Sequence, residues 1–143
     1  MKTSSRTRAR RLAMQGLYEW QVSDNKPSEI ETQYLIEKET DKVDVAYFRE
    51  LISKVPLHSE ELDSHLAPLI SRPLAEVDLV ELAVLRLGTY ELIYHPEIPY
   101  RVVINEAVEL AKMFGADQGH RFVNGIMDRL AASLRTVEVQ ARL

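Results

Sequence analysis

At 143 residues the chain has the length of one domain, and a composition of 45% apolar and 28% charged residues is ordinary for a globular protein with a real core. It contains no cysteine, which excludes disulfides, thiolate zinc sites and a cysteine nucleophile. No apolar run approaches the roughly 18 residues that cross a bilayer, and the basic start lacks the apolar core of a secretory signal, so a cytoplasmic location is expected. The net charge of −4 is unevenly spread: residues 1–18 hold Lys2, Arg6, Arg8, Arg10 and Arg11 and no acid. An acidic body with a basic arm is the asymmetry of a protein that offers one patch to polyanions.

The periodicity predicts a first helix over 5–22, capped by Ser4 or Ser5. Ala9, Leu12, Ala13, Gly16, Leu17 and Trp20 share its apolar face. Arg8, Arg11, Gln15 and Tyr18 fall on or near the opposite face, with Arg10 on a flank, so the arginines are expected in water. Arginines in a first turn face the positive end of the helix dipole, an unfavourable placement by about 0.3–1 kcal/mol each. A helix selected for stability alone would carry acids there, which points to a task for the arm.

A second helix is expected from a Ser28–Glu31 capping box to about Glu39, with Ile30, Tyr34 and Leu35 as its stripe. Asp44 caps a third over 45–55, stopped by Pro56, with Val45, Phe48, Leu51, Ile52 and Val55 inward. Ser59 caps a fourth, lined by Leu62 and Leu66 and ended or kinked at Pro68. Ser71-Arg72-Pro73 is the expected hinge between an N-terminal helical subdomain (1–70) and a C-terminal one (74–135). Asp78 and Glu81 form a capping box for a fifth helix, 79–94, apolar on most sides and therefore central. A sixth covers about 101–114 and ends at Gly115 as a C′ residue. Asp117 caps the seventh, about 118–135, and the tail 136–143 is expected to fray. No stretch alternates as a strand, so the fold class is all-α: about seven helices in two small packed bundles. Gly16, Gly88 and Gly125 sit inside these helices, where glycine costs about 1 kcal/mol against alanine. Close helix–helix approach is the expected compensation, and Gly125→Leu is expected to destabilise the fold.

The motifs of catalysis are missing. His58, His65, His95 and His120 are scattered without HExxH, no glycine loop cradles a phosphate, and there is no GxSxG elbow. His58 and His65 are seven residues apart among acids, and a solvated polar face accounts for them better than a metal. The expectation is no enzyme, no cofactor and no metal.

The least generic stretch is the turn Ala116–Phe122. It reads as an ordinary cap and loop with Phe122 in the core. It reads equally as an RNA contact: free N–H groups at a helix start, Gln118 and His120 for base edges, Gly119 for close backbone approach, and Phe122 to stack a base.

VVINEAVELAKMFGADQGHRFVNGIMDRLA resembles the C-terminal block of the NusB family of bacterial transcription antitermination factors, and RTRARRLAMQGLYEWQ resembles that family's start. DVAYFRELI and ELAVLRLGTYEL match between them, so the resemblance spans essentially the whole chain in order. It implies an all-helical protein of two bundles that binds boxA RNA as a heterodimer with the ribosomal protein NusE. It also implies a role within the RNA polymerase antitermination complex, helping polymerase resist termination, notably on ribosomal RNA operons. Carried onto this sequence, the RNA-binding residues are Lys2, Arg6, Arg8 and Arg10 with Gln118, Gly119, His120 and Phe122, and the partner-binding residues are Tyr18 and Glu81. Two departures stand out: Thr7 replaces an arginine common in relatives, and Gln118-Gly119 replaces an acid followed by a serine. A similar helical domain precedes the catalytic domain of certain RNA cytosine methyltransferases, but this chain has neither the length nor the glycine loops of their cofactor-binding domain. A protein-interaction adaptor without an RNA site is the alternative, and oligomeric state, including a homodimer, is left open.

Overall fold

The computed structural model describes residues 3–141, so Lys2, expected to bind RNA, lies outside the described residues. These residues form eight α-helices and no strand: α1 (Ser5–Val22), α2 (Pro27–Glu37), α3 (Val45–Leu57), α4 (Ser59–Leu66), α5 (Leu79–Tyr94), α6 (Tyr100–Phe114), α7 (Gly119–Leu134) and α8 (Thr136–Gln140). The all-α expectation holds. Two compact units divide between His58 and Ser59, not at Ser71-Arg72-Pro73. The reason is that α4 packs on α5. Leu62 and Leu66 are fully buried, and Arg86 grips Asp63 through two parallel hydrogen bonds, Nε to Oδ1 at 2.9 Å and Nη2 to Oδ2 at 2.8 Å.

The first unit is a three-helix group. Ser4 Oγ accepts the Thr7 N–H at 3.0 Å and caps α1. The apolar face of α1 meets Ile30 and Tyr34 of α2 and Phe48, Leu51, Ile52 and Val55 of α3, all buried. Gly16 permits this approach, since a Cβ there would stand 2.6 Å from Ile52 Cδ1. Trp20 and Val45, expected in the core, are only half-buried. Helix α2 starts differently from expectation. Pro27 occupies its first turn, where a missing N–H is harmless and φ is already helical, so Ser28 lies inside the helix and caps nothing. It ends at Glu37. Pro56 does not stop α3, which runs on to Leu57; in a last turn, proline removes one hydrogen bond without breaking the coil. Tyr34 donates to Glu19 Oε1 at 3.3 Å, and burial together with that carboxylate pushes its phenol up to about 12.

In the second unit α5 is the axis, buried on nearly every side and packed by α4, α6 and α7. Asp78 Oδ1 accepts the Val80 and Glu81 N–H groups and starts it. A Cβ on Gly88 would meet Met127 Cε at 2.6 Å, so this glycine does let α7 approach α5. Gly125 does not: it is exposed, with no atom within 4 Å of its Cβ position. The packing explanation fails there, and so does the expectation for Gly125→Leu. Gly125→Ala is instead expected to stabilise the chain by about 1 kcal/mol, the helix-propensity difference. That raises Tm by roughly 2–5 °C for a protein of this size, measurable by thermal denaturation. Gly115 closes α6 in extended backbone rather than in the left-handed region.

The tail is ordered, against expectation. After Leu134 the chain forms α8, and Arg135 is buried beneath it. Its guanidinium donates to the carbonyls of Leu92 (2.8 Å), Ile98 (3.0 Å), His95 (2.9 Å) and Glu91 (3.4 Å) and to Glu138 Oε1 (2.7 Å). Glu138 Oε2 in turn accepts the Tyr100 N–H at 2.9 Å, at the start of α6. A polar, aperiodic tail is thus held by one cation that satisfies carbonyls at the end of α5 and in the loop after it.

Candidate nucleic-acid interface

The arginines of α1 divide into two sets. Arg6 and Arg10, four residues apart, turn toward α3. The Arg6 guanidinium lies 4.2 Å over the Tyr47 ring, with its Nε 3.9 Å from Asp44 Oδ2. Arg10 lies 5.5 Å from the same ring centroid and is only 3% exposed. The expectation that all the arginines stand in water is therefore wrong for Arg10. Its guanidinium lies over the aromatic ring, which a flank position on a helix packed against α3 favours. The Arg6–Asp44 pair also offsets the unfavourable charge at the start of α1, because Asp44 is held there by its own N–H, donated to the Ser5 carbonyl at 3.1 Å.

Arg8 and Arg11 point elsewhere. With Gln15, Leu12, Glu39, Lys42 and Val43 they line a cleft of about 300 Å³ between α1 and the connection before α3. Arg8, Arg11 and Lys42 have no ion-pair partner among the described residues. Three such cations line this cleft with one acid, Glu39, and guanidinium groups are of a geometry that suits phosphate. Arg11 and Lys42 were absent from the sequence-based set. Arg11 carried a signal, since it shares a helix face with Arg8 and Gln15. Lys42 carried none, because a loop residue joins a site only when the chain folds back.

The second group forms at the start of α7. Gln118 occupies the N-cap without a side-chain bond, and Asp117 is not the cap. Backbone turns take over that job, with the Gly119 N–H donating to Ala116 at 2.9 Å and Arg121 N–H to Gln118 at 3.2 Å. Gln118 is exposed and His120 half-buried. Gly119 is buried, and a Cβ on it would stand 3.0 Å from Glu81 Oε2. The close approach this glycine permits in the structure is that of the Glu81 side chain. Glu81 itself is only 8% exposed. Burial and the nearby charge of Asp78 raise its carboxyl above the usual range, and Arg72 opposes them. Phe122 is neither core nor free: it is half-buried, with the Arg72 guanidinium 5.0 Å from its ring centroid. Tyr18, on α1, is 39% exposed and available for contact. Sequence reasoning placed Arg72 in a hinge and missed it here; nothing local in Ser71-Arg72-Pro73 indicates a partner fifty residues away.

No helix among the described residues is long and apolar enough to cross a membrane, and no group of three or more His, Asp or Glu residues among them is placed to hold a metal ion.

Comparison with known proteins bears on what this arrangement serves. The family model described as NusB family matches residues 7–132. The transcription antitermination protein NusB of Shewanella amazonensis is 55% identical over 132 residues, covering 92% of this chain and 98% of the relative. That of Idiomarina loihiensis is 53% identical over 135 residues, covering 94% and 97%. The solved structure of T. maritima NusB superposes with a TM-score of 0.76 at 32% identity, covering 92% of each chain. With a family model spanning most of its length, close relatives matched nearly end to end and the same helical fold, the chain belongs to the NusB family.

Proposed function

We propose that the chain is a non-enzymatic transcription antitermination factor that acts in the cytoplasm. In this reading it binds boxA-type single-stranded RNA together with ribosomal protein NusE and helps RNA polymerase read through terminators, notably in ribosomal RNA operons. The observation that supports it is the cleft on α1, where Arg8, Arg11 and Lys42 converge without ion-pair partners among the described residues. A chain of net charge −4 that gathers cations at one cleft is suited to one anionic ligand rather than to general adhesion to nucleic acid.

The family-derived residues take different parts in this reading. Arg8 meets phosphate directly, and Lys2 and Arg6 add to the positive field. Arg10, buried on Tyr47, holds α1 against α3. Gln118 and His120 offer hydrogen bonds to bases and Phe122 a stacking face; Gly119 serves by admitting Glu81. Tyr18 and Glu81 meet the protein partner.

The test is a fluorescence titration of labelled boxA RNA against the protein alone and against the protein with NusE. Binding that tightens when NusE is present is the expected result. An absence of RNA binding in both arms, with NusE still bound, would leave the adaptor reading instead.

A further inference from the structure

Four arginines of the second unit show different uses of the same side chain. Arg135 donates to four carbonyls, Arg86 to Asp63, and Arg129 Nη1 to the Leu69 carbonyl at 3.0 Å. Arg72 has no hydrogen-bond or ion-pair partner among the described residues, is exposed, and lies over Phe122. Its position is nevertheless built. Ile70, two residues earlier, is buried in the core, and the Arg129–Leu69 bond ties the same segment to the side of α7. A short 3₁₀ turn, Ala67–Leu69, shapes the approach.

We propose that Arg72 and Phe122 together form the base-stacking platform at the start of α7, with the Arg72 guanidinium as its outer surface. This rests on the RNA-binding reading above and adds a residue to it. A base approaching the covered face of Phe122 meets the guanidinium plane first. Guanidinium planes stack bases as aromatic rings do, and the N–H groups at their edge remain free for a phosphate or a base edge. Charge supports the same assignment. Glu81 stands against Gly119 at this helix start, and the Arg72 charge offsets its carboxylate.

The test measures boxA RNA affinity at fixed salt for the unaltered protein, Arg72→Ala, Arg72→Lys, Phe122→Ala and the Arg72→Ala/Phe122→Ala pair, with thermal unfolding in parallel. Arg72→Ala is expected to weaken RNA binding about tenfold, within the range for one stacked base, with Tm unchanged. Arg72→Lys keeps the charge but not the plane and is expected to recover only a small part of the loss. The double variant is expected to be little weaker than the worse single, because the two side chains form one surface. Arg72→Met, which keeps an apolar stem on the ring, replaces the alanine variant if that one unfolds. Full affinity in Arg72→Ala or Arg72→Met, or full recovery by lysine, overturns the platform. So does a loss confined to NusE binding. If Phe122→Ala weakens RNA binding and Arg72→Ala does not, the platform alone fails; if the unaltered protein binds no boxA RNA, the RNA reading fails with it.

Discussion

Replacing Arg135 with alanine is expected to lower the unfolding free energy by about 3–5 kcal/mol, the range for breaking a buried charged group away from its partners. Arg135 is 8% exposed, and its guanidinium donates to four backbone carbonyls and one carboxylate. Its removal takes the Arg135 donor from the carbonyls of Leu92 and Ile98, whereas those of Glu91 and His95 still accept the N–H groups of His95 and Ile98; each buried bond left unmade carries a desolvation penalty of about 1–3 kcal/mol. It also removes one partner of Glu138, whose second oxygen accepts the Tyr100 N–H. Domains of this kind are stable by about 5–15 kcal/mol, so the variant is expected to lose a large part of its folding free energy. Urea denaturation followed by circular dichroism measures it. Arg135→Lys is expected to recover little, because an ammonium cannot reach carbonyls spread from Glu91 to Ile98 as a planar fork does. A loss below 1 kcal/mol for the alanine variant would mean that α8 and the loop after α5 are held by something else.

The second large effect concerns RNA. The triple variant Arg8→Gln, Arg11→Gln, Lys42→Gln is expected to flatten the log–log salt dependence of boxA binding by about two units. That follows from about 0.7 per neutralised phosphate on a single strand and three cations in one cleft. Between 1 M and 0.1 M salt, a change of two units is about a hundredfold in affinity at the low end. Since all three side chains lack ion-pair partners among the described residues, stability is expected to change little. Arg10→Gln is the instructive contrast. With Arg10 buried on Tyr47, that variant is expected to act first on the stability of the first unit and only then on RNA. An unchanged slope in the triple variant would remove the cleft from the interface.

Much of the fold is legible in the residues because its signals are local. The start of α1 follows from Ser4, that of α3 from Asp44 and that of α5 from Asp78, each a side chain whose oxygen accepts an N–H of the first turn. The all-round apolar pattern of residues 79–94 marks the central helix for the same reason: the chain cannot leave that many apolar side chains in water. The errors fall where two local rules compete. Ser28 and Pro27 both favour a helix start, and proline prevails because its φ is already fixed. Asp117 offers a cap, yet the carbonyls of Ala116 and Gln118 take the N–H groups first.

The site is less legible. Helical spacing correctly puts Arg8 and Arg11 on one face and sets Arg10 apart, but it does not say that Tyr47 lies beneath Arg10 or that Lys42 closes a cleft over Arg8. Gly16, Gly88 and Gly125 look alike in the sequence; only their neighbours separate two packing glycines from a solvated one. Arg72 and Arg135 are the clearest cases, one covering a phenylalanine fifty residues along the chain, the other binding carbonyls about forty residues back. The sequence by itself determined the helices α1 to α7, the central position of α5 and the concentration of cations in α1, because periodicity, caps and composition act over a few residues; it did not show α8. Only the tertiary structure decided which of those cations are consumed by packing and which have no ion-pair partner among the described residues. A charge is neutralised by whatever stands within a few ångströms of it, and in a helical fold those neighbours come from other elements.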